Sequence, residues 1–188
     1  MLIKTSSITA ENYLAYERAS DTKHEFLYNT LIDMAGASKI HNILCGNLYA
    51  FLWYFLRDTD NLVFQTDLRT HNPVNGSYFY PDIVVSNGEP QMIDNQMDTL
   101  LNPKLIVEIL SQSTAVFDLT DKFIAYRSIP TLKEYVLVHS DTYCIDIYRK
   151  NDDETWSLHT ETQLNKNISF ISIGFSCKMS EVYSKVSI

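Results

Sequence analysis

The chain predicts a mixed α/β or α+β fold, a central mixed β-sheet flanked by helices. Three observations carry this. Ser38 to Leu56 places apolar side chains at Ile40, Ile43, Leu44, Leu48, Phe51, Leu52 and Phe55, a helical period sustained over several turns. Leu105-Ile106-Val107-Glu108-Ile109-Leu110 is apolar on both faces except for one carboxylate, which is how a strand covered on both sides reads. The order helix, hairpin, long helix, strands, helix, strands then calls for helices layered on a sheet.

Taken along the chain, Ile8 to Tyr13 starts a helix with Thr9 as N-cap and Ile8 and Tyr13 placed to staple it, and its end is expected near Ala19. Glu25 to Met34 reads as a hairpin turning at Asn29, because asparagine tolerates left-handed backbone geometry. On the long helix that follows, His41 lies beside the core stripe and is read as packed or hydrogen-bonded rather than catalytic. Leu62 to Leu68 is a strand. Tyr78 to Ser86 is aromatic and β-branched, a single strand interrupted by Pro81, which places it at an edge or a bulge able to re-aim Asp82.

Asn87 to Asn102 is a polar loop able to cover or border a cleft, and Ser111 to Thr114 read as turn or cap residues before phosphate ligands. Thr120 to Ser128 is a helix stopped by Pro130, with Phe123 and Tyr126 toward the core and Lys122 pointing elsewhere. Glu134 to Val138 and Tyr143 to Arg149 form a hairpin around Ser140-Asp141. Short strands begin at Trp156 to Leu158, and a brief helix spans Ser180 to Ser184.

With 188 residues and 45% hydrophobic content, the chain is most economically one domain over 1–188, large enough for a core without staples. Its three scattered cysteines, Cys45, Cys144 and Cys177, read as reduced thiols of a cytosolic protein. The start, Met1 to Ser7, lacks a secretory apolar core and no stretch reaches membrane-spanning length, so a cytoplasmic location is expected. The formal net charge of −8 opposes long-range attraction to nucleic acid, although Glu89 to Asp98 and Asp152 to Glu161 concentrate acids in expected loops. Five histidines without zinc spacing, five glycines without a phosphate-binding loop, and no nucleophile-elbow motif count against several other enzyme classes.

The chemistry concentrates elsewhere. Asp82 follows proline in one apolar run, Glu108 sits inside a second run 26 residues later, and Lys122 opens a helix beyond it. Magnesium is typically held by one or two carboxylates and keeps its other positions for water and phosphate oxygens, while a lysine stabilises charge on phosphorus or orients the water. The layout therefore suits a metal-dependent phosphodiesterase. The ordinary structural alternative stays open: Asp82 as a solvated turn residue, Glu108 paired with a lysine, and Asp118 with Lys122 as a surface i,i+4 ion pair. Two carboxylates alone are also compatible with glycoside hydrolysis, which has no further support.

The segments His24 to Asn29, Tyr80 to Val85, Val107 to Ser111, Asp118 to Tyr126 and Lys133 to Val138 resemble a large bacterial family of restriction-endonuclease-like proteins, a branch of the PD-(D/E)XK nuclease superfamily. The resemblance runs over nearly the whole chain and implies a restriction-endonuclease-like fold. By it, Asp82 is the motif aspartate, Glu108 the second acid, the Ile109 carbonyl a further metal ligand, and Glu25 an accessory acid reaching the metal through water. The superfamily's usual lysine, two residues after the second acid, is replaced by Leu110. In this family it has moved to the following helix, at Lys122, and a long flexible side chain can deliver an ammonium from there. Asn29 stands where the family more often has glycine.

The expectation is a Mg²⁺-dependent DNA endonuclease, with Mn²⁺ able to substitute, in which Asp82 and Glu108 hold the metal and Asp82, Glu108 and Lys122 carry catalysis. DNA is the expected substrate. A homodimer suits the cutting of two strands. The contrasting expectation is a catalytically silent nuclease-fold protein acting as a protein-interaction module, its twelve tyrosines and nine phenylalanines filling an interface as well as a core.

Overall fold

The computed structural model describes residues 3–5, 8–34, 36–110 and 117–188. Helix α1 (Ala10–Arg18) starts after Thr9 as expected, but the Thr9 side chain makes no cap bond; its carbonyl instead accepts from the amides of Asn12 and Tyr13, each at 3.0 Å. Strands β2 (His24–Leu27) and β3 (Thr30–Asp33) form the expected hairpin. Tyr28 and Asn29 both take positive φ, 50° and 60°, as a two-residue hairpin turn with the strands' own twist requires. Strand β1 (Ile3–Thr5) pairs outside β3.

Helix α2 (Lys39–Leu56) is the long helix, and the Ser38 side chain caps it by accepting from the His41 amide at 3.1 Å. Leu44, Leu48, Leu52 and Leu56, at i,i+4 spacing, make one buried stripe. Each buried leucine contributes roughly 1.5–3 kcal/mol by leaving water.

Among the described residues, twelve strands divide between two sheets, one in the order β1-β3-β2-β6-β5-β8 and the other β12-β11-β10-β9-β7-β4, and the last two strands of the chain pair with each other in a small third sheet. The expected strand at Leu62 to Leu68 is shorter, β4 (Val63–Gln65), and is followed by a strand not anticipated, β5 (Arg69–Asn72). The single strand expected from Tyr78 to Ser86 is two. β6 (Ser77–Phe79) belongs to the first sheet and β7 (Ile83–Ser86) to the second, and Pro81-Asp82 is the crossing between them. Proline here marks neither an edge nor a bulge, since β7 lies between β4 and β9 and its register shift falls at Val85/Ser86. A residue with no amide hydrogen fits where the ladder is interrupted to change sheets. The loop after β7 is likewise not all loop: it ends in β8 (Thr99–Leu100), which pairs in parallel with β5.

Strand β9 (Pro103–Leu110) has both faces covered. Leu105, Val107 and Ile109 pack with the α2 stripe, and Ile106 and Leu110 pack on the opposite side with Phe79, Tyr126 and Tyr135. Glu108 shares that second face. β10 (Glu134–His139) runs parallel to β9, and β11 (Ile145–Lys150) and β12 (Trp156–Glu161) extend the sheet antiparallel. The acids of Asp152 to Glu161 thus lie partly on a strand. β13 (Asn167–Phe170), β14 (Phe175–Lys178) and α4 (Met179–Val182) close the α2 side.

The helix expected from Thr120 to Ser128 is a π-helical turn (Asp118–Lys122) running into α3 (Phe123–Tyr126). Such wide turns recur at functional sites. Among the described residues no helix is long and apolar enough to cross a membrane.

Candidate active site

Strand β9 delivers Glu108, the sheet crossing delivers Asp82, strand β2 delivers Glu25, and the π-helical turn delivers Lys122. All four line one cavity of about 480 Å³, together with His41, Tyr80 and Asp118. The sequence expectation that Lys122 points away from the core is overturned: the residue is 6% exposed and its ammonium lies 3.0 Å from Glu25 Oε1, 3.1 Å from Glu108 Oε1 and 3.3 Å from Asp118 Oδ1. A buried ammonium needs partners. These come from elements far off in sequence, so helical phase alone did not disclose them. The ion pair with Asp118 is buried rather than on the surface, and Glu25 is itself a buried acid.

Glu108 Oε1 also accepts from the Tyr126 hydroxyl at 2.9 Å, and Glu25 Oε1 accepts from the Tyr80 amide at 3.1 Å. The Tyr135 hydroxyl donates to the Asp118 carbonyl at 3.0 Å. Asp82 is held differently. Its Oδ2 accepts from the Ile109 amide at 2.7 Å and lies 3.0 Å from His41 Nε2, while its backbone carbonyl faces the buried Cys45 thiol. His41 is thus hydrogen-bonded, as the sequence suggested, but to the candidate acid itself. Asp118, Tyr126 and His41 are members of the constellation that sequence reasoning did not assign to it. For Asp118 and Tyr126 the available signal was their i,i+4 spacing on either side of Lys122; for His41, 41 residues from Asp82, there was none. The hydroxyls of Ser111 to Thr114 lie outside the described residues.

The electrostatics follow from crowding. Burial pushes the Glu108 carboxyl well above the ordinary glutamate range; the Lys122 ammonium pulls it down, and Asp82, Asp118 and Glu25 push it up again. Glu25 is raised by the same burial against the same ammonium. For Lys122 burial disfavours the charge, but Glu108, Glu25 and Asp118 outweigh it and hold the ammonium protonated. Three acids therefore share one ammonium, with a fourth, Asp82, acting on Glu108, an excess of acid groups over cations that a divalent cation would relieve. Asp82, just before β7, and Glu108, on the neighbouring strand β9, offer hard oxygen donors that suit Mg²⁺ or Mn²⁺.

Comparison with known proteins bears on the family and the fold. Over 171 residues the chain is 39% identical to the uncharacterized protein sll1609 of Synechocystis sp. strain PCC 6803, covering 90% of this chain and 97% of that protein. It is 32% identical over 176 residues to the uncharacterized protein slr1290 of the same strain, covering 94% and 91% respectively. Its fold is similar to the crystal structure of a "putative nuclease belonging to DUF820" from Anabaena variabilis ATCC 29413, with a TM-score of 0.77 at 15% identity over 94% of this chain and 98% of that one. The family model Uma2, described as "Putative restriction endonuclease", matches residues 10–180. With its restriction-endonuclease-like architecture, the chain belongs to the Uma2 family.

Proposed function

We propose that this protein is a metal-dependent endonuclease that hydrolyses phosphodiester bonds in DNA. The observation that carries the reading is the convergence of Asp82, Glu108, Glu25 and Lys122 on one cavity with more carboxylate than cation. Asp82, Glu108 and the Ile109 carbonyl would hold Mg²⁺, for which Mn²⁺ could stand in. The ion would polarise the scissile phosphate and lower the pKa of a bound water.

The chain's own residues supply the rest. The Ile109 amide and His41 fix the Asp82 carboxylate in one orientation, and the Tyr126 hydroxyl does the same for Glu108. Lys122, kept protonated by its three acids, is no general base; it stabilises negative charge building on the phosphoryl group or orients the attacking water. Glu25 anchors that ammonium and would serve as the accessory acid. Because the net charge of −8 repels DNA at a distance, productive binding depends on the cation. A twofold dimer would offer one such cavity to each strand.

Calorimetric titration with Mg²⁺ and Mn²⁺, followed by plasmid nicking, tests this. Binding and cleavage are expected to vanish together in Asp82→Ala and Glu108→Ala. Cleavage unchanged in both variants would assign the activity elsewhere. A metal-loaded protein that leaves duplex, single-stranded and branched DNA intact would favour the catalytically silent interaction module.

A further inference from the structure

We propose that His139, Cys144 and Asp146 form a second metal site, separate from the candidate active site and suited to zinc-class divalent ions. The three side chains share one end of the β10–β11 hairpin. Val138 pairs with Ile145, so His139 and Cys144 face each other across the next rung, and the His139 amide donates to the Cys144 carbonyl at 3.0 Å. Asp146, two residues beyond Cys144, returns to the same face of the strand. One imidazole nitrogen, the thiol sulfur and one carboxylate oxygen all lie within 4.8 Å of one another, with His139 Nε2 and Asp146 Oδ2 at 2.9 Å. Ligands about 2.0–2.3 Å from a tetrahedral zinc sit roughly 3–4 Å apart, so side-chain rotation closes the site without moving backbone.

The surroundings are built to hold that geometry. The Thr160 hydroxyl bonds the other oxygen of Asp146, as outer partners of metal-bound carboxylates do. The Tyr183 hydroxyl stands 2.7 Å from the Cys144 carbonyl and 2.8 Å from that of His139, pinning the hairpin end to the C-terminal segment. The His139 and Asp146 side chains keep 21% and 13% of their surface, enough for entry and for a water as fourth ligand. A mixed nitrogen, sulfur and oxygen donor set selects zinc or cobalt over magnesium.

Leu137 lies between Glu108 and Asp146 in the sheet register, which separates the two sites by two strand spacings, roughly 10 Å. Paired catalytic metals sit about 3.5–4 Å apart, so an ion here clips the hairpin rather than sharing in phosphate chemistry.

The test uses the full chain carrying Asp82→Ala and Glu108→Ala, which removes the first site, titrated with Co²⁺ and then Zn²⁺. The expected result is one Co²⁺ per chain with a near-ultraviolet sulfur-to-cobalt charge-transfer band that Zn²⁺ displaces. The band persists when Cys45→Ser and Cys177→Ser are added, since Cys144 is then the sole thiol, and disappears in Cys144→Ser. Asp146→Asn weakens binding by about tenfold or more. Absence of the band in the chain whose sole thiol is Cys144, or its persistence in Cys144→Ser, would overturn the proposal, and the first of these outcomes stands even where Cys144→Ser fails to fold.

Discussion

Two buried polar networks meet at Tyr80, and they are organised oppositely. On one side Glu17 accepts from the His24 amide, the Tyr80 hydroxyl and the His24 ring, each at 2.9–3.0 Å, and Tyr80 in turn accepts from Arg69 at 2.8 Å. Arg69 pairs with Asp98, which also receives a two-pronged bond from Arg18 at 2.7 and 2.8 Å. Two buried or half-buried acids face two guanidiniums there, and each carboxylate oxygen has a donor. On the other side the Tyr80 amide holds Glu25, and three buried acids share the ammonium of Lys122 while Asp82 stands by. Buried charge alone therefore marks no site in this protein. The imbalance does, because a network already complete has nothing left to offer a ligand.

The comparison breaks first at Lys122. Lys122→Met removes the cation from three buried carboxylates and should cost about 3–5 kcal/mol in denaturant unfolding with a chelator present, with Mg²⁺ or Mn²⁺ returning part of it. A stability unchanged by that substitution would mean the acids are not held against one another. Glu108→Gln sharpens the contrast from the other direction: metal-dependent cleavage should fall on the order of 10²-fold or more, while the metal-free protein melts no lower than before.

That variant also carries a pH signature. Because folding raises the Glu108 pKa, the stabilising contribution is full below the ordinary glutamate value and is lost as pH rises through the elevated one. The metal-free chain should thus soften toward higher pH, metal should bind more tightly there, and Glu108→Gln should flatten both trends.

In the balanced network effects are smaller and leave chemistry alone. Glu17→Gln exchanges a charge-assisted acceptor for a neutral one and should cost about 1–3 kcal/mol by chemical denaturation, with nicking rates kept. Asp98→Asn should cost less than about 1 kcal/mol, since that carboxylate is partly exposed. Its bonds from Arg18, then Arg69, hold the Asp98 pKa below the usual aspartate range, so its contribution is present above about pH 4 and drains away below it. The wild-type melting temperature should fall more steeply on acidification than that of Asp98→Asn.

Much of this was legible in the chain. The α2 stripe, the turn at Asn29 and the lone carboxylate of β9 each rest on local periodicity or local backbone preference, and each was read from a few neighbouring residues. What escaped reading depends on distant partners. Tyr78 to Ser86 looks like one strand because its side chains suit strands throughout, and only the competition of two sheets for its two halves divides it at Pro81. β8 is two residues long and exists through its pairing with β5. Burying Lys122 is unfavourable until Glu25 and Glu108 arrive from other elements, and nothing in the sequence near His41 announces that its ring meets Asp82.

The crossing at Pro81-Asp82 gives the molecule a mechanical property. Of the several places where the chain passes between the two sheets, this one carries an acid of the cavity, and Asp82 is tied by its side chain to β9 and by its backbone carbonyl to the amide of Thr66 after β4. Both ties run to the second sheet, which also carries Glu108, whereas Glu25 sits on β2 of the first, so a shift between the sheets would leave the spacing of Asp82 and Glu108 in place and alter the hold of Glu25 on Lys122.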